Sequence, residues 1–83
     1  MNKLEIYQFD HCPFCMKVQR AMATTTLPLK YVDILQDTQL KEELIEFGGK
    51  LQVPCLKVSG DEHTLWLYES DDIIAYLNNL EEA

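Results

Sequence analysis

Eighty-three residues suit one small domain and leave no room for two, since typical domains run to ~100–150 residues. A hydrophobic share of 47% supports a single compact core, and 25% charged residues is ordinary, which excludes a disordered, collagenous or low-complexity chain. Seven basic against fourteen acidic residues give a net charge of −7, which phosphate backbones repel, so no nucleic-acid partner is expected. No uncharged apolar run approaches the ~18 residues of a membrane span, so no membrane partner is expected either. Glu5 and Asp10 stand where a secretory leader would need its apolar stretch. The expectation is one domain over residues 1–83, cytoplasmic and monomeric.

The segment from Leu4 to Phe9 alternates at its start and is rich in β-favouring residues, which predicts a strand. From Pro13, the residues Phe14, Val18, Ala21 and Met22 recur at helical spacing, and Thr24-Thr25-Thr26 with Pro28 ends that helix. Lys30 to Ile34 reads as a second strand. Asp37 or Thr38 then caps a second helix with a stripe of Leu40, Leu44 and Phe47, and Gly48-Gly49 stops it. Cys55 to Val58 and Thr64 to Tyr68 are short β runs flanking the turn Ser59-Gly60-Asp61-Glu62. Trp66, Tyr31 and Tyr68 are expected to pack on the core. Ser70 is the expected cap of a last helix, with Asp71 and Asp72 favourable at its positive end and Ile73, Ile74, Leu77 and Leu80 as its buried stripe. The order β-α-β-α-β-β-α predicts an α/β fold in which a four-stranded mixed sheet is flanked by three helices.

Three cysteines cannot all pair within the chain, so this is no disulfide scaffold. Two of them form Cys12-Pro13-Phe14-Cys15 at the predicted strand-to-helix junction. Cys12 falls at the N-cap position, where unpaired backbone N–H groups and the positive dipole end favour an anion. A thiol so placed can have its pKa lowered from ~8.5 into the range ~3.5–7.5. Pro13 fits the first helical position, where its missing N–H costs no hydrogen bond. Cys15, one turn further on, is expected to be less exposed and nearer to an ordinary thiol. That asymmetry makes Cys12 the attacking and Cys15 the resolving cysteine.

Other readings of the pair compete with redox chemistry. Zinc needs four ligands, and Cys55, His11 and His63 are the remaining candidates without a second paired motif, so no metal is expected. His11 could also favour a Cys12 thiolate when protonated, although a loop histidine is more commonly only solvated. Two structural buried cysteines would not need a proline between them at a helix start.

Three motifs together resemble the glutaredoxin family. They are Cys12-Pro13-Phe14-Cys15 after a strand, Val53-Pro54 before the third strand, and Glu69-Ser70-Asp71-Asp72 opening the last helix. Leu51 to Leu56 and Tyr68 to Leu77 are also similar to the N-terminal domain of glutathione S-transferases, so the chain resembles the transferase-like branch from about Lys3 to Leu80. The resemblance implies a thioredoxin fold, a glutathione co-substrate and thiol–disulfide exchange on disulfide-containing or glutathionylated proteins. It implies a cis bond before Pro54, with the Val53 backbone pairing with the cysteinyl part of glutathione like an added strand. It further implies that Ser70 and its helix N–H groups hold the γ-glutamyl carboxylate and that Asp71 faces the γ-glutamyl ammonium. Phe14, Gln52 and Glu69 complete the implied glutathione contacts.

One position departs from the family. Phe9 stands where glutaredoxins usually carry a lysine that meets a glutathione carboxylate; Lys17, Arg20, Lys50 and Gln52 are candidate substitutes. Cys55 follows Pro54 directly and is expected to be an inert buried thiol. Two alternatives to an oxidoreductase remain: a carrier holding an iron–sulfur cluster through cysteine and glutathione, against which the stiffening Pro13 argues, and an electron donor to one dedicated partner.

Overall fold

The computed structural model describes residues 3–9 and 12–82, so the readings of Asp10 and His11 lie outside the described residues. Seven elements follow in the expected order: β1 (Lys3–Gln8), α1 (Pro13–Ala21), β2 (Leu29–Asp33), α2 (Thr38–Gly48), β3 (Cys55–Ser59), β4 (Thr64–Leu67) and α3 (Ser70–Glu82). The four strands form one mixed sheet in the order β2-β1-β3-β4. β1 runs parallel to β2, from Leu4 opposite Leu29 to Gln8 opposite Asp33. It runs antiparallel to β3, from Lys3 opposite Ser59 to Tyr7 opposite Cys55. β4 closes the second edge, with Leu56 opposite Leu67 and Ser59 opposite Thr64.

The central strand is covered on both faces, so β1 is buried at every position after Lys3. On one face Leu4, Ile6, Leu56 and Val58 pack with Val18 and Met22 of α1 and Ile73 and Leu77 of α3. On the other, Tyr7, Val32, Ile34 and Cys55 pack with Leu44 of α2. Each fully buried aliphatic side chain contributes roughly 1.5–3 kcal/mol relative to exposure. The two cores hold Phe9 and Cys12, which follow β1, and the segment before β3 at one rim of the sheet.

Caps and stops follow the local chemistry. Asp37, rather than Thr38, caps α2, its Oδ1 accepting from the N–H groups of Gln39 at 3.0 Å and Leu40 at 3.2 Å. Gly49 ends α2 at φ 95°, a left-handed conformation that glycine adopts without a Cβ penalty. A Cβ on Gly48 would stand 2.1 Å from the Tyr68 hydroxyl, so the helix end approaches the sheet closely there. That hydroxyl donates to the Lys50 carbonyl at 3.0 Å.

Five residues depart from their expected places. α1 turns Cys15, Val18 and Met22 inward, leaving Ala21 outside and Phe14 60% exposed, because the inward face is rotated by one residue from the one that Phe14 starts. Phe47 is 66% exposed. It stands over the edge strand β4, at the rim of a cleft with Lys57 and Trp66. Tyr31, on the opposite edge strand, is also exposed, whereas Trp66 and Tyr68 pack on the α2-side core as expected. Ser70 is the first residue of α3, not its cap: the Ile73 N–H donates to the Glu69 carbonyl at 2.9 Å, which makes Glu69 the capping position. No helix among the described residues is long and apolar enough to cross a membrane.

Candidate active site

The parallel pairing of β1 and β2 brings the C-terminal ends of both strands to one rim, and the Ile34 N–H donates to the Gln8 carbonyl at 2.9 Å there. Cys12 follows at that rim in extended backbone (φ −85°, ψ 119°) at the N-cap of α1, with Pro13 at the first helical position. Its carbonyl accepts the first helical bond from the Met16 N–H at 2.9 Å. Among the described residues, the Cys12 side chain makes no capping hydrogen bond.

All three cysteines are free thiols. Cys12 is 7% exposed and Cys15 1%, so the expected order of accessibility holds while both are mostly covered. Burial, and then the neighbouring Cys12 sulfur, push the Cys15 thiol up to about 12, against an opposing pull from the Phe9 backbone. Cys55 lies on the α2 side of the sheet, opposite Tyr7, with no exposed surface. Burial pushes its thiol up to about 12 as well, offset in part by Tyr68 and Lys50. Among the described residues, no three of His, Cys, Asp and Glu gather in a way that could hold a metal ion.

Two clefts meet at this rim. The first, of about 400 Å³, gathers the residues of the implied glutathione contacts, Phe14 from α1, then Gln52, Val53 and Pro54 from the loop before β3, and Glu69, Ser70 and Asp71 at the start of α3, while Asp72 of the same motif does not line it. The Val53–Pro54 peptide bond in its wall is cis. Lys17 and Tyr68 complete the lining. The second cleft, of about 380 Å³, contains Cys12 itself, with Phe9, Ile34, Leu35 and Leu51 as an apolar wall and Lys41 as its cation. Gln52 and Val53 line both clefts, so the two are neighbours across one stretch of backbone.

The candidate cations separate clearly. Lys17 lines the first cleft and is ion-paired with Asp71. Lys50 lies over the Tyr68 ring, 4.7 Å from its centroid. Arg20 belongs to the last turn of α1 and lines neither cleft. Lys41 was not among the residues the motifs pointed to. Its signal was topological: α2 starts directly after β2, and β2 ends beside β1, so the first turn of α2 comes to the rim that carries Cys12.

Comparison with known proteins agrees with this architecture. The sequence profile of the family described as Glutaredoxin matches residues 4–63. Glutaredoxin 2 of Escherichia coli K12 is 28% identical over 78 residues, covering 94% of this chain and 34% of that protein. This chain therefore spans about a third of the length of that relative. Glutathione transferase E6 from Drosophila melanogaster superposes with a TM-score of 0.69 at 32% identity, over 95% of this chain and 35% of that one. A maleylacetoacetate isomerase from Anaeromyxobacter dehalogenans, solved with bound GSH, superposes with a TM-score of 0.72 at 22% identity, over 98% of this chain and 38% of that one. With its thioredoxin fold and its matched profile, the chain belongs to the glutaredoxin family.

Proposed function

We propose that this domain is a glutathione-dependent thiol–disulfide oxidoreductase that reduces protein disulfides or glutathionylated proteins through Cys12 and Cys15. The observation that carries the reading is the pair of clefts sharing Gln52 and Val53, one holding Cys12 and the other the start of α3. A glutathione laid across Val53 has its thiol toward Cys12, its γ-glutamyl end at Ser70 and Asp71, and its glycyl carboxylate toward Lys41. The backbone N–H and C=O of Val53 pair with its cysteinyl residue. Ser70 and the free N–H groups of the α3 start receive the α-carboxylate, and Asp71 the α-ammonium. Phe14, Pro54 and Glu69 form the remaining walls. The glutathione bound by the isomerase neighbour supports this choice of ligand.

In the proposed cycle the Cys12 thiolate attacks the glutathione sulfur of a mixed disulfide. The client thiol leaves as that S–S bond breaks, and Cys12 carries the glutathione. A second glutathione thiolate attacks the same sulfur, releasing glutathione disulfide and regenerating Cys12. With a protein disulfide, Cys12 first forms the mixed disulfide with the client. Cys15 then loses its proton and displaces the second client thiol, and two glutathiones reduce the Cys12–Cys15 bond. Burial keeps Cys15 protonated between turnovers, which suits a group that acts only after Cys12.

A glutathione-coupled assay with a glutathionylated peptide tests the reading. Cys12→Ser is expected to abolish turnover and Cys15→Ser to retain it, whereas wild-type activity in Cys12→Ser rejects the proposal.

A further inference from the structure

Lys17 is the cation among the residues lining the cleft at the start of α3, and it reaches from α1 to pair with Asp71. Three acids crowd that helix start: Glu69, Asp71 and Asp72. A bare carboxylate approaching them meets repulsion that the helix dipole, equivalent to roughly half a charge, offsets only in part. The ion pair is not required to join the helices, because Val18 and Met22 of α1 already pack with Ile73 and Leu77 of α3 in the core. Both partners are well exposed, with 50% of the Lys17 and 79% of the Asp71 side chain accessible. Such a pair is worth ~0–1 kcal/mol and rearranges readily.

The geometry points to Lys17 and Asp71 acting together as a selector for a ligand end that carries a carboxylate and an ammonium on the same carbon. This rests on the glutathione reading above and deepens it. Lys17 turns from Asp71 to the α-carboxylate, while Asp71 takes the α-ammonium, so each charge of the pair exchanges one partner for another. A ligand lacking the carboxylate leaves Lys17 competing with its ammonium for Asp71. A ligand lacking the ammonium brings its carboxylate up against Asp71. Lys17 is thus a specificity-determining residue, separate in position from Lys41 beside Cys12.

Calorimetric titration of the reduced protein tests this, with S-methyl peptides preventing thiol exchange. The probes are S-methylglutathione and the S-methyl forms of 4-aminobutyryl-cysteinylglycine, which lacks the α-carboxylate, and glutaryl-cysteinylglycine, which lacks the α-ammonium. Wild-type protein is expected to prefer S-methylglutathione over both. Lys17→Met is expected to reduce the preference over the aminobutyryl peptide about fivefold, the factor that ~1 kcal/mol corresponds to. Lys17→Arg is expected to keep it, and Asp71→Asn to reduce the preference over the glutaryl peptide instead. An unchanged ratio in Lys17→Met, or an equal loss for both peptides, overturns the inference alone. Absence of saturable binding of S-methylglutathione to the wild type overturns the glutathione reading and this inference with it.

Discussion

Cys12, at the start of α1, and Val53, two residues before β3, line the same cleft although they lie far apart in the chain. Antiparallel pairing of β1 with β3 sets that proximity, because Tyr7 near the end of β1 stands opposite Cys55 at the start of β3. The proposed nucleophile and the backbone proposed to hold its co-substrate are therefore brought together by one strand pair.

Lys41 lines the Cys12 cleft, whose wall is apolar apart from Lys41 and Gln52. Lys41→Met is expected to raise the KM for glutathione roughly fivefold, from ~1 kcal/mol of lost charge interaction, with kcat changed little. Steady-state kinetics at varied glutathione check this, and a fall in kcat at constant KM contradicts it.

The reactivity of Cys15 is expected to depend on pH. Its thiol is pushed up to about 12, chiefly by burial, so only a small fraction is thiolate near neutrality. Closure of the Cys12–Cys15 disulfide from a Cys12 mixed disulfide is expected to speed up nearly tenfold per pH unit between pH 7 and 9. Rapid-mixing measurement of that step gives the slope, and a flat profile contradicts the assignment.

Stability is expected to fall in alkali. Cys15 and Cys55 hold their protons up to about 12 in the folded state, and an unfolded cysteine releases its proton near ~8.5. The folded state binds more protons in that interval, so the stabilisation is complete below ~8.5 and is lost as the pH rises toward about 12. Cys55→Val removes one of the two contributions, and denaturant titrations across pH 8–11 are expected to show a shallower decline.

The closeness of Gly48 to Tyr68 gives a packing test. A Cβ at position 48 would stand 2.1 Å from the Tyr68 hydroxyl, with Trp66 and Leu44 atoms at 3.2 and 3.3 Å. Gly48→Ala is expected to cost about 1–3 kcal/mol, the usual range for overpacking. Tyr68→Phe in the same chain removes the clashing oxygen, so the double variant is expected to recover part of the loss. Equal losses in Gly48→Ala with and without Tyr68→Phe contradict this account.

Most of the architecture was legible in short-range patterns. Asp37 and Gly49 announced the ends of α2, and proline between two cysteines announced the start of α1. The residues Phe14, Gln52 to Pro54 and Glu69 to Asp71 come from three separate segments that line one cleft, and resemblance to a family is what groups them in the sequence. What escaped depends on tertiary geometry. Phe14 and Phe47 are hydrophobic residues at helical spacing, and only the docking of each helix decides whether they face the sheet. Ser70 has the chemistry of a cap, yet the backbone entering α3 starts the helix one residue earlier. Lys41 carries no local mark at all, since its place beside Cys12 arises from the parallel pairing of β1 with β2.

The most direct test of the account is the site at which glutathione becomes attached. The Cys15→Ser protein, incubated with glutathione disulfide, acid-quenched and digested, is expected to carry the adduct on Cys12 and none on Cys55. An adduct on Cys55, or none on Cys12, would contradict the assignment of Cys12 as the attacking thiol.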